Sequence, residues 1–564
     1  MLDFFSPQND ERFKKVIAVV IAVITTLIAA LSFLQGDAAN RDDAANRDSK
    51  RYSLQAFGRQ VSGDALVNYD YNSAYQGWYE LNLLAAAAET VGDGAAARRY
   101  AALSDEMLKL SPMLQPPYFD PATGQLDVAQ YESDVYVVDT TALLERFSAA
   151  SVVKEAWDYK ANTYIVHLTL LAVALFLFGL SVTISSKSTR LLFTAVGLAI
   201  ALFATGWAAV LFARPVNDLR QCKTADGTFA IDAYAQGVGL AYQNKFQEAI
   251  PGFDKALACE PNYVNALIQR GDANTALGNY GAAAADYEQA RAAGDTSGNV
   301  AGDLAWVYYL LGRFDDAVAM NRTALEANPG ELWIQYDLAL SLLADNQLDQ
   351  ARAEYQAGMD LAAKQVADAK AANTEPPSYL WWGLEDAANG ADDLVYVIDS
   401  GEGSPPLNSL ADADAIAAAA VEISTQLKSL SVALEFTGQP PVGELTAVVS
   451  PFTFATPVVD DEGNVVDYEP AETFPYGTDS VSILFDYDGM TDGQEVVFKV
   501  YIDGEEDPSW RFVEPWSLGA SGSAEKPLSY AYSNTQVLSS GEYAIELYVD
   551  SHLAQAGAFV IEED

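Results

Sequence analysis

Residues 298–331 read GNVAGDLAWVYYLLGRFDDAVAMNRTALEANPGE, and their pattern of small, aromatic and proline residues recurs at a spacing of 34 residues. Small residues let two antiparallel helices approach closely, aromatic side chains fill the space beside them, and proline ends the second helix. The pattern therefore predicts four consecutive helical hairpins over 230–365. The four recurring slots hold Gly237, Gly271, Ala305 and Ala339; Phe246, Tyr280, Phe314 and Leu348; Ala249, Ala283, Ala317 and Ala351; and Ala256, Ala290, Ala324 and Gly358.

This pattern resembles the tetratricopeptide repeat, whose unit is a helix–turn–helix of the same length. Two features depart from the family: the tryptophan usual near the start of each unit is missing, and Asn321 stands where an aromatic residue is expected. The resemblance covers about a quarter of the chain. It implies an α-solenoid with a superhelical surface for protein contacts, and it implies no reaction. The four units are 230–263, 264–297, 298–331 and 332–365.

The resemblance also implies a partner-binding groove, because residues of the first helices line the concave face in this family. None of the matching positions is lysine or arginine, so the basic clamp that some members use for acidic peptides is absent. We expect an apolar or aromatic-rich protein segment as the partner. The alternative is that the helix bearing Trp381 and Trp382 folds back and fills the groove. The groove positions are Tyr234, Val238, Tyr242, Asn265, Ile268, Asp272, Asn299, Trp306, Tyr309, Trp333 and Tyr336.

Composition limits the classes of function. The 564 residues include 78 Asp and Glu against 32 Lys and Arg, a formal net charge of −46. Such a field repels nucleic acid and anionic lipid, so a nucleic-acid partner is not expected. A hydrophobic content of 50% is too high for a disordered acidic chain. The length indicates several domains.

Three apolar stretches, 16–34, 163–184 and 191–213, are each long enough for a transmembrane helix. A cleavable signal peptide is the alternative for the first stretch. We favour an uncleaved anchor, because the stretch is longer than the apolar core of a typical signal peptide and no clear cleavage site follows it. The sequence thus predicts an integral, multi-pass protein of a prokaryotic cell membrane.

Basic residues predict the orientation of these spans. Arg12, Lys14 and Lys15 precede the first span, and Lys187 and Arg190 lie between the second and third. The positive-inside rule places residues 1–15 and the turn at 185–190 in the cytoplasm, and residues 35–162 and 214 onwards outside. Further basic residues on the predicted outer side oppose this assignment: Arg41, Arg47, Lys50, Arg51 and Arg214.

Small residues recur every four positions in two of the spans. Such stripes allow close helix contact in membranes. We therefore expect the first and third spans to pack through Ala18, Ala22, Thr26 and Ala30 against Gly197, Ala201, Thr205 and Ala209. His167 is interpreted as a helix-contact or interfacial residue of the second span.

The region outside the membrane is expected to contain several parts. Residues 35–162 are predicted to be helical, 214–229 to be a linker, and 366–439 to hold capping helices and a linker. From residue 440 to 564 the pattern alternates, with strands predicted at 481–489, 495–504, 541–551 and 553–562. These indicate an antiparallel β-sandwich that looks like the immunoglobulin-like accessory domains of bacterial surface proteins.

Cys222 and Cys259 are the only cysteines. They fall at two ends of one predicted helical hairpin and would be neighbours in space, so a disulfide is geometrically allowed in an oxidising compartment. Two independent thiols are the alternative.

No pattern indicates chemistry. The two histidines, His167 and His552, lie in unrelated segments, and no phosphate-binding or dinucleotide motif is present. We expect no catalytic, metal or cofactor site and no small-molecule substrate. The predicted function is a membrane-anchored, extracytoplasmic scaffold for a protein or peptide. The alternative is an accessory subunit of a membrane transport, secretion or envelope-assembly complex.

Overall fold

The computed structural model describes residues 10–460, 465–529 and 537–563, so residues 1–9 of the predicted cytoplasmic segment lie outside it. The chain divides into two compact units, Met1–Asn279 and Tyr280–Asp564.

The first unit is almost entirely helical. Short π-helical segments at Asp70–Tyr75 and Ser133–Val137 join neighbouring helices, so the chain runs as a helix from Asp10 to Thr90 and again from Val128 to Thr183. Its elements are α1 (Asp10–Tyr69), α2 (Gln76–Thr90), α3 (Gly94–Met107), β1 (Phe119–Asp120), β2 (Gln125–Leu126), α4 (Val128–Glu132), α5 (Val138–Thr183), α6 (Lys187–Ala213), α7 (Ala230–Tyr242), α8 (Phe246–Cys259) and α9 (Val264–Ala276).

Three of these helical runs are long and apolar enough to cross a membrane, judged by length and composition. They are Asp10–Thr90, Val128–Thr183 and Lys187–Ala213. They contain the three stretches that the sequence predicts as spans. The second and third are joined by only three residues, 184–186, since α6 begins at Lys187. The predicted turn at 185–190 is therefore too long, because its polar residues are accommodated in the first turn of α6, where Thr189 donates a hydrogen bond to Ser186.

α1 and α5 pack against each other along their length. The buried residues of α1 follow a seven-residue repeat, and from Tyr164 onwards those of α5 alternate at spacings of three and four. These spacings are typical of knobs-into-holes packing between two helices. Ser49 Oγ lies 2.9 Å from Ser151 Oγ, and an Arg59–Asp139 ion pair of 2.8 Å fixes the same antiparallel register. The buried residues of α1 are Phe13, Ile17, Ile24, Leu31, Ala38, Ala45, Ser49, Ala56, Gly63 and Val67.

The expected contact between the first and third spans is wrong. Ala18, Ala22, Thr26 and Ala30 are all exposed, because α1 turns the larger Ile17, Ile24 and Leu31 inward. In α6 the small residues are buried at Gly197 and Ala201, but they face α5: a Cβ on Gly197 would lie 3.4 Å from Leu177 and Phe178. Branched side chains that interlock at heptad positions make more van der Waals contacts with the partner helix than alanine does, which favours turning this face of α1 inward.

The buried face of α1 crosses a tandem hexapeptide, DAANRD at 37–42 and again at 43–48. The second residue of the first copy, Ala38, is buried, whereas the third residue of the second copy, Ala45, takes the equivalent place. The buried positions of α1 recur every seven residues, whereas the tandem sequence recurs every six. Identical residues in the two copies therefore occupy different environments.

The first repeat is packed through small residues, as the 34-residue pattern predicts. Gly252 lies against the backbone of α7, where a Cβ would meet Ala233 O at 2.7 Å, and Gly237 lies under the ring of Phe253. Cys222 and Cys259 are paired as a disulfide with Cα atoms 6.1 Å apart. The bond ties the residues before α7 to the end of α8.

The second unit begins with helices and ends with β-sheets. Its helices are α10 (Tyr280–Ala292), α11 (Gly298–Leu310), α12 (Phe314–Ala327), α13 (Leu332–Ala344), α14 (Leu348–Ala372), α15 (Ser378–Ser400) and α16 (Ala413–Phe436). Its strands are β3 (Val448–Val449), β4 (Thr453–Val459), β5 (Val465–Pro470), β6 (Thr473–Phe474), β7 (Ser480–Asp488), β8 (Glu495–Ile502), β9 (Glu505–Glu506), β10 (Phe512–Pro515), β11 (Ser521–Ser529), β12 (Gly541–Val549) and β13 (His552–Ile561).

The last repeat helix is longer than predicted. α14 passes the expected boundary at residue 365 and ends at Ala372, so the first residues of the predicted 366–439 region continue the last repeat helix. Its sequence AAKQVADAKAA consists mainly of strong helix formers. The helix ends where Asn373 adopts a left-handed conformation with φ of 55°, a common helix stop.

Two sheets enclose the core of the β region. One has the order β10–β8–β12–β13–β6, with β9 beside β8; the other has the order β11–β7–β4–β5, with β3 beside β7. The four predicted strands correspond to β7, β8, β12 and β13. Strand pairing is antiparallel except that β13 runs parallel to β6, which corrects the expectation of a wholly antiparallel sandwich. β6 has only two residues, and the hydropathy pattern alone does not reveal so short an edge strand.

Candidate partner-binding surface

Two of the predicted groove residues lie inside helical hairpins. The ring of Tyr234 is buried between those of Phe253 and Tyr263, with centroids 5.9 and 5.1 Å away. In the second unit, Tyr336 is buried beside Tyr355, at 6.0 Å, and its ring covers Gly358. Both tyrosines occupy the fifth position of their repeat. They stabilise the repeats and are not accessible to a partner.

Two further predicted groove residues, Tyr242 and Asn265, contact other helices of the first unit. The Tyr242 hydroxyl donates a hydrogen bond to Glu132 in α4. Asn265 donates to Glu145 Oε1 in α5 at 2.7 Å, and Tyr263 donates to the other oxygen of Glu145, also at 2.7 Å. α5 therefore occupies part of the face on which the sequence predicts a groove.

Glu145 is the centre of this contact. Its side chain is buried, and burial raises the pKa of the carboxyl above its ordinary value, although the hydrogen bonds from Tyr263 and Asn265 act in the opposite direction. Burial and the nearby Glu145 also raise the pKa of Tyr263. A buried carboxylate requires such donors. The sequence signal for this contact is weak, because one glutamate in a long helix does not indicate its partners.

The remaining predicted groove residues of the first unit are partly accessible. Val238, Ile268 and Asp272 are half-buried. Asp272 accepts a hydrogen bond of 2.9 Å from Gln269.

The second unit contains the more accessible aromatic residues. Trp306 is half-buried and stacks on the buried Tyr309, with ring centroids 5.2 Å apart. Trp333 is 36% exposed and covers Gly302, where a Cβ would collide with the indole. Asn299 is exposed and accepts a hydrogen bond of 2.8 Å from Asn328. Trp306, Trp333 and Asn299 are the members of the predicted groove that a partner of this unit can reach, and we call them the open face.

α15 packs along α13 in the same direction. A Cβ on Gly383 would lie 3.7 Å from Leu332, and one on Gly390 would lie 3.1 Å from Leu340. The helix bearing Trp381 and Trp382 thus does return to the repeats, as the alternative interpretation proposed. The two tryptophans themselves line a cavity against the β-sheet instead.

Three carboxyl groups lie near one another where α11, α13 and α15 meet. They belong to Asp303, Asp337 and Asp386. Burial, together with the charges of Asp303 and Asp386, raises the pKa of Asp337 to about 7.

The chain matches no protein-family model and no curated protein. Solved structures similar to part of it include YrrB, described as a TPR protein with an unusual peptide-binding site. YrrB is 19% identical, with a TM-score of 0.23, covering 30% of this chain and 91% of its own. Residues 41 to the end of MamA from Desulfovibrio magneticus RS-1 are 18% identical, with a TM-score of 0.24 and coverages of 34% and 96%. Because these values are low, we base the repeat assignment on the 34-residue spacing and the helix packing alone.

Proposed function

We propose that the chain is a membrane-anchored scaffold that holds a protein or peptide partner outside the cell membrane through its helical repeats. The observation that carries the proposal is the continuity of α5. This helix contains an apolar stretch long enough to cross a membrane, and its opposite end packs on the first repeat.

The contact between α5 and the repeat is both apolar and charged. Ala142 and Ala149 of α5 pack with Ile231 and Ala235 of α7. Beside them Arg146 and Asp232 form an ion pair of 2.5 Å. At the beginning of the helical run, Ser133 donates a hydrogen bond of 2.9 Å to the carbonyl of Gly239. These contacts fix the position of the repeat relative to the apolar helices, which is what a scaffold requires.

The open face supplies the partner contact in this proposal. Accessible tryptophans are enriched at the energetic centres of protein interfaces. Trp306 and Trp333 fit this role, and the adjacent Asn299 offers hydrogen bonds to a peptide backbone. We expect an apolar or aromatic-rich segment of the partner to bind there.

Photo-crosslinking in cells tests the proposal. A photoreactive amino acid is placed at Trp333 or at Trp306, and as a control at Tyr476, which is 52% exposed in the β region. We expect a discrete adduct in the membrane fraction from 333 or 306 and none from 476. No discrete adduct from either tryptophan position, or equal adducts from the control, would contradict the proposal.

The exposed stripe on α1 favours a second candidate function, as an accessory subunit of a membrane complex. Ala18, Ala22, Thr26 and Ala30 face away from α5, and small residues at this spacing allow a helix of another membrane protein to approach closely. Replacement Ala22→Leu separates the two functions. Loss of a co-purifying membrane protein, with the crosslink at 333 retained, would support the accessory role.

A further inference from the structure

A cavity of about 780 Å³ lies within the second unit, between the helical pair α15–α16 and the sheet that contains β8 and β12. This volume is in the range of pockets that hold small molecules. Trp381 and Glu385 come from α15, Glu435 from α16, and Lys499 and Tyr501 from β8. Charged and aromatic side chains therefore line the cavity together.

The cations of the lining are already neutralised by carboxylates. Lys499 is buried, and its Nζ lies 3.0 Å from both Glu435 and Glu506. Arg511 contacts the same two carboxylates, and its Nε lies 2.6 Å from Glu506. An anionic ligand would have to displace these carboxylates from Lys499 and Arg511. Losing these ion pairs is unfavourable because Lys499 is buried and Arg511 is half-buried.

Lys428 is held in the same way. Its Nζ lies 3.0 Å from Asp392 and 3.0 Å from Glu546, and Tyr548 donates a further hydrogen bond of 2.6 Å to Glu546. Burial lowers the pKa of Lys428, but the two carboxylates outweigh it, so the pKa is raised and the amine stays charged. The ammonium group of Lys428 is therefore also paired with carboxylates and is not available to an anionic ligand.

Two carboxylates of the lining, those of Glu385 and Glu505, form no direct ion pair within 4 Å among the described residues. The lining holds five carboxylates and three cations, so its net charge is negative. The pKa of Glu385 is raised by burial and then by the charges of Asp386, Glu506 and Glu546, and these outweigh the charge of Lys499, which lowers it. The potential at Glu385 consequently favours a positive charge.

Aromatic faces accompany the unpaired carboxylate. Trp382 is 63% exposed at the cavity and lies three residues before Glu385, on the same side of α15. Trp381 and Tyr501 also line it. Ammonium and guanidinium groups bind over indole and phenol rings through cation–π attraction. A tryptophan beside an unpaired carboxylate offers an organic cation both cation–π attraction and attraction to a negative charge.

We propose that this cavity binds an organic cation, an ammonium or guanidinium group carried on a small apolar body, with Glu385 as its counter-ion and Trp382 as its stacking surface. The site is separate from the open face and adds ligand recognition to the scaffold. The same chemistry is offered by a free small molecule and by an arginine or lysine side chain of a protein.

Isothermal titration calorimetry on the purified full chain tests the proposal with matched probes. N-acetyl-arginine amide carries the guanidinium, and N-acetyl-citrulline amide is its neutral counterpart of nearly equal shape. We expect the arginine probe to bind and the citrulline probe to bind at least tenfold more weakly. Tighter binding of the peptide acetyl-Gly-Gly-Arg-Gly-Gly-amide than of the single residue would assign the cation to a protein, and weaker binding would assign it to a free molecule.

Variants locate the binding. We expect Trp382→Ala and Glu385→Gln each to weaken binding of the arginine probe, the first by roughly two- to thirtyfold, the usual range for a cation–π contact. Tyr396→Ala is the control for the tryptophan, since Tyr396 is 62% exposed on the same helix and does not line the cavity. Equal binding of the arginine and citrulline probes, no binding of either arginine probe, or unchanged affinity in both variants would overturn the proposal. Circular dichroism confirms that each variant is folded.

Discussion

At the scale of single residues, we expect Asp337 to make stability depend on pH. Its pKa rises from 3.8 in the unfolded chain to about 7 in the folded unit, because of burial and the neighbouring Asp303 and Asp386. A carboxyl whose pKa is raised by folding favours the folded state below its unfolded pKa. That contribution is lost as pH rises through about 7.

We therefore predict that Asp337→Asn raises the melting temperature of the full chain at pH 8 and flattens its dependence between pH 4 and 7. A gain of 1 kcal/mol would correspond to roughly 2–4 °C for a unit of this size. Differential scanning calorimetry over this pH range measures both effects. Asp349→Asn, an exposed aspartate on α14, is the control. An unchanged pH profile in Asp337→Asn would contradict the prediction.

The buried Tyr336 gives a second prediction at this scale. Its hydroxyl has no hydrogen-bond partner among the described residues, and its ring fills the space between α13 and Gly358 of α14. We expect Tyr336→Phe to leave stability unchanged or to increase it, because it removes an unsatisfied polar atom. Tyr336→Ala should lose about 3–5 kcal/mol by leaving a cavity. Chemical denaturation measures the free energy of unfolding, and a large loss in Tyr336→Phe would mean that the hydroxyl has a partner.

At the scale of elements, the pairing of α1 with α5 can be tested by crosslinking. The cysteine pair Ser49→Cys and Ser151→Cys should form a disulfide readily, since the two hydroxyl oxygens lie 2.9 Å apart. Ala22→Cys with Thr205→Cys, which the small-residue stripes alone would favour, should not. Both pairs are made with Cys222 and Cys259 replaced by serine, and mobility without reductant is compared. Efficient crosslinking of the second pair alone would refute this packing.

The disulfide gives a second prediction for elements. Cys222 and Cys259 close a loop over a sequence separation of 37, and a bond of that span typically contributes about 3–4 kcal/mol. We predict that intact-mass analysis after alkylation without reductant shows no labelled thiol, and that Cys259→Ser lowers the melting temperature. Two labelled thiols in protein prepared from its own compartment would rule out the bond.

Some elements could be predicted from sequence and others could not, for physical reasons. The repeat helices were predictable because small residues such as Gly237 and Ala249 are needed wherever the two helices of a hairpin approach closely. This need recurs every 34 residues. The face of α1 that packs was not, because apolar residues surround a membrane helix and the choice depends on its neighbour. Burial of Tyr234 and Tyr336 was missed for a related reason. A family position predicts the direction of a side chain, but what covers it depends on its neighbours, which are Phe253 and Tyr263 for Tyr234 and Tyr355 for Tyr336.

At the scale of the whole molecule, topology is the decisive prediction. With the amino terminus in the cytoplasm and three spans, the carboxyl terminus is outside. Alkaline phosphatase fused after Asp564 should therefore be active, and green fluorescent protein at the same place should be dark. The converse pair of results would show that the orientation is inverted, as the basic residues Arg41 and Arg47 would suggest.

The candidate binding surfaces were predictable only in part. The resemblance to the repeat family predicted Trp306 and Trp333 as groove residues, and both are at least partly accessible in the structure, but their role in binding stays a prediction. The cavity beside Trp382 and Glu385 had no signal of its own in the sequence. It is formed by residues more than one hundred positions apart, on helices and strands that only folding brings together.

The continuous pairing of α1 with α5 fixes the length over which the two helices run side by side. α1 continues for 35 residues beyond the first apolar stretch, from Gln35 to Tyr69, which at 1.5 Å per residue is roughly 50 Å. Because the buried residues of α1 recur every seven positions, the length of this paired segment can change without loss of register only by whole heptads added to or removed from both helices at once. A further six residues inserted into one helix alone would rotate its inward face out of register. In the proposed membrane arrangement, we expect the distance between the apolar stretches and the first repeat, which packs on α5 at Ala142 and Ala149, to change only in steps of roughly 10 Å.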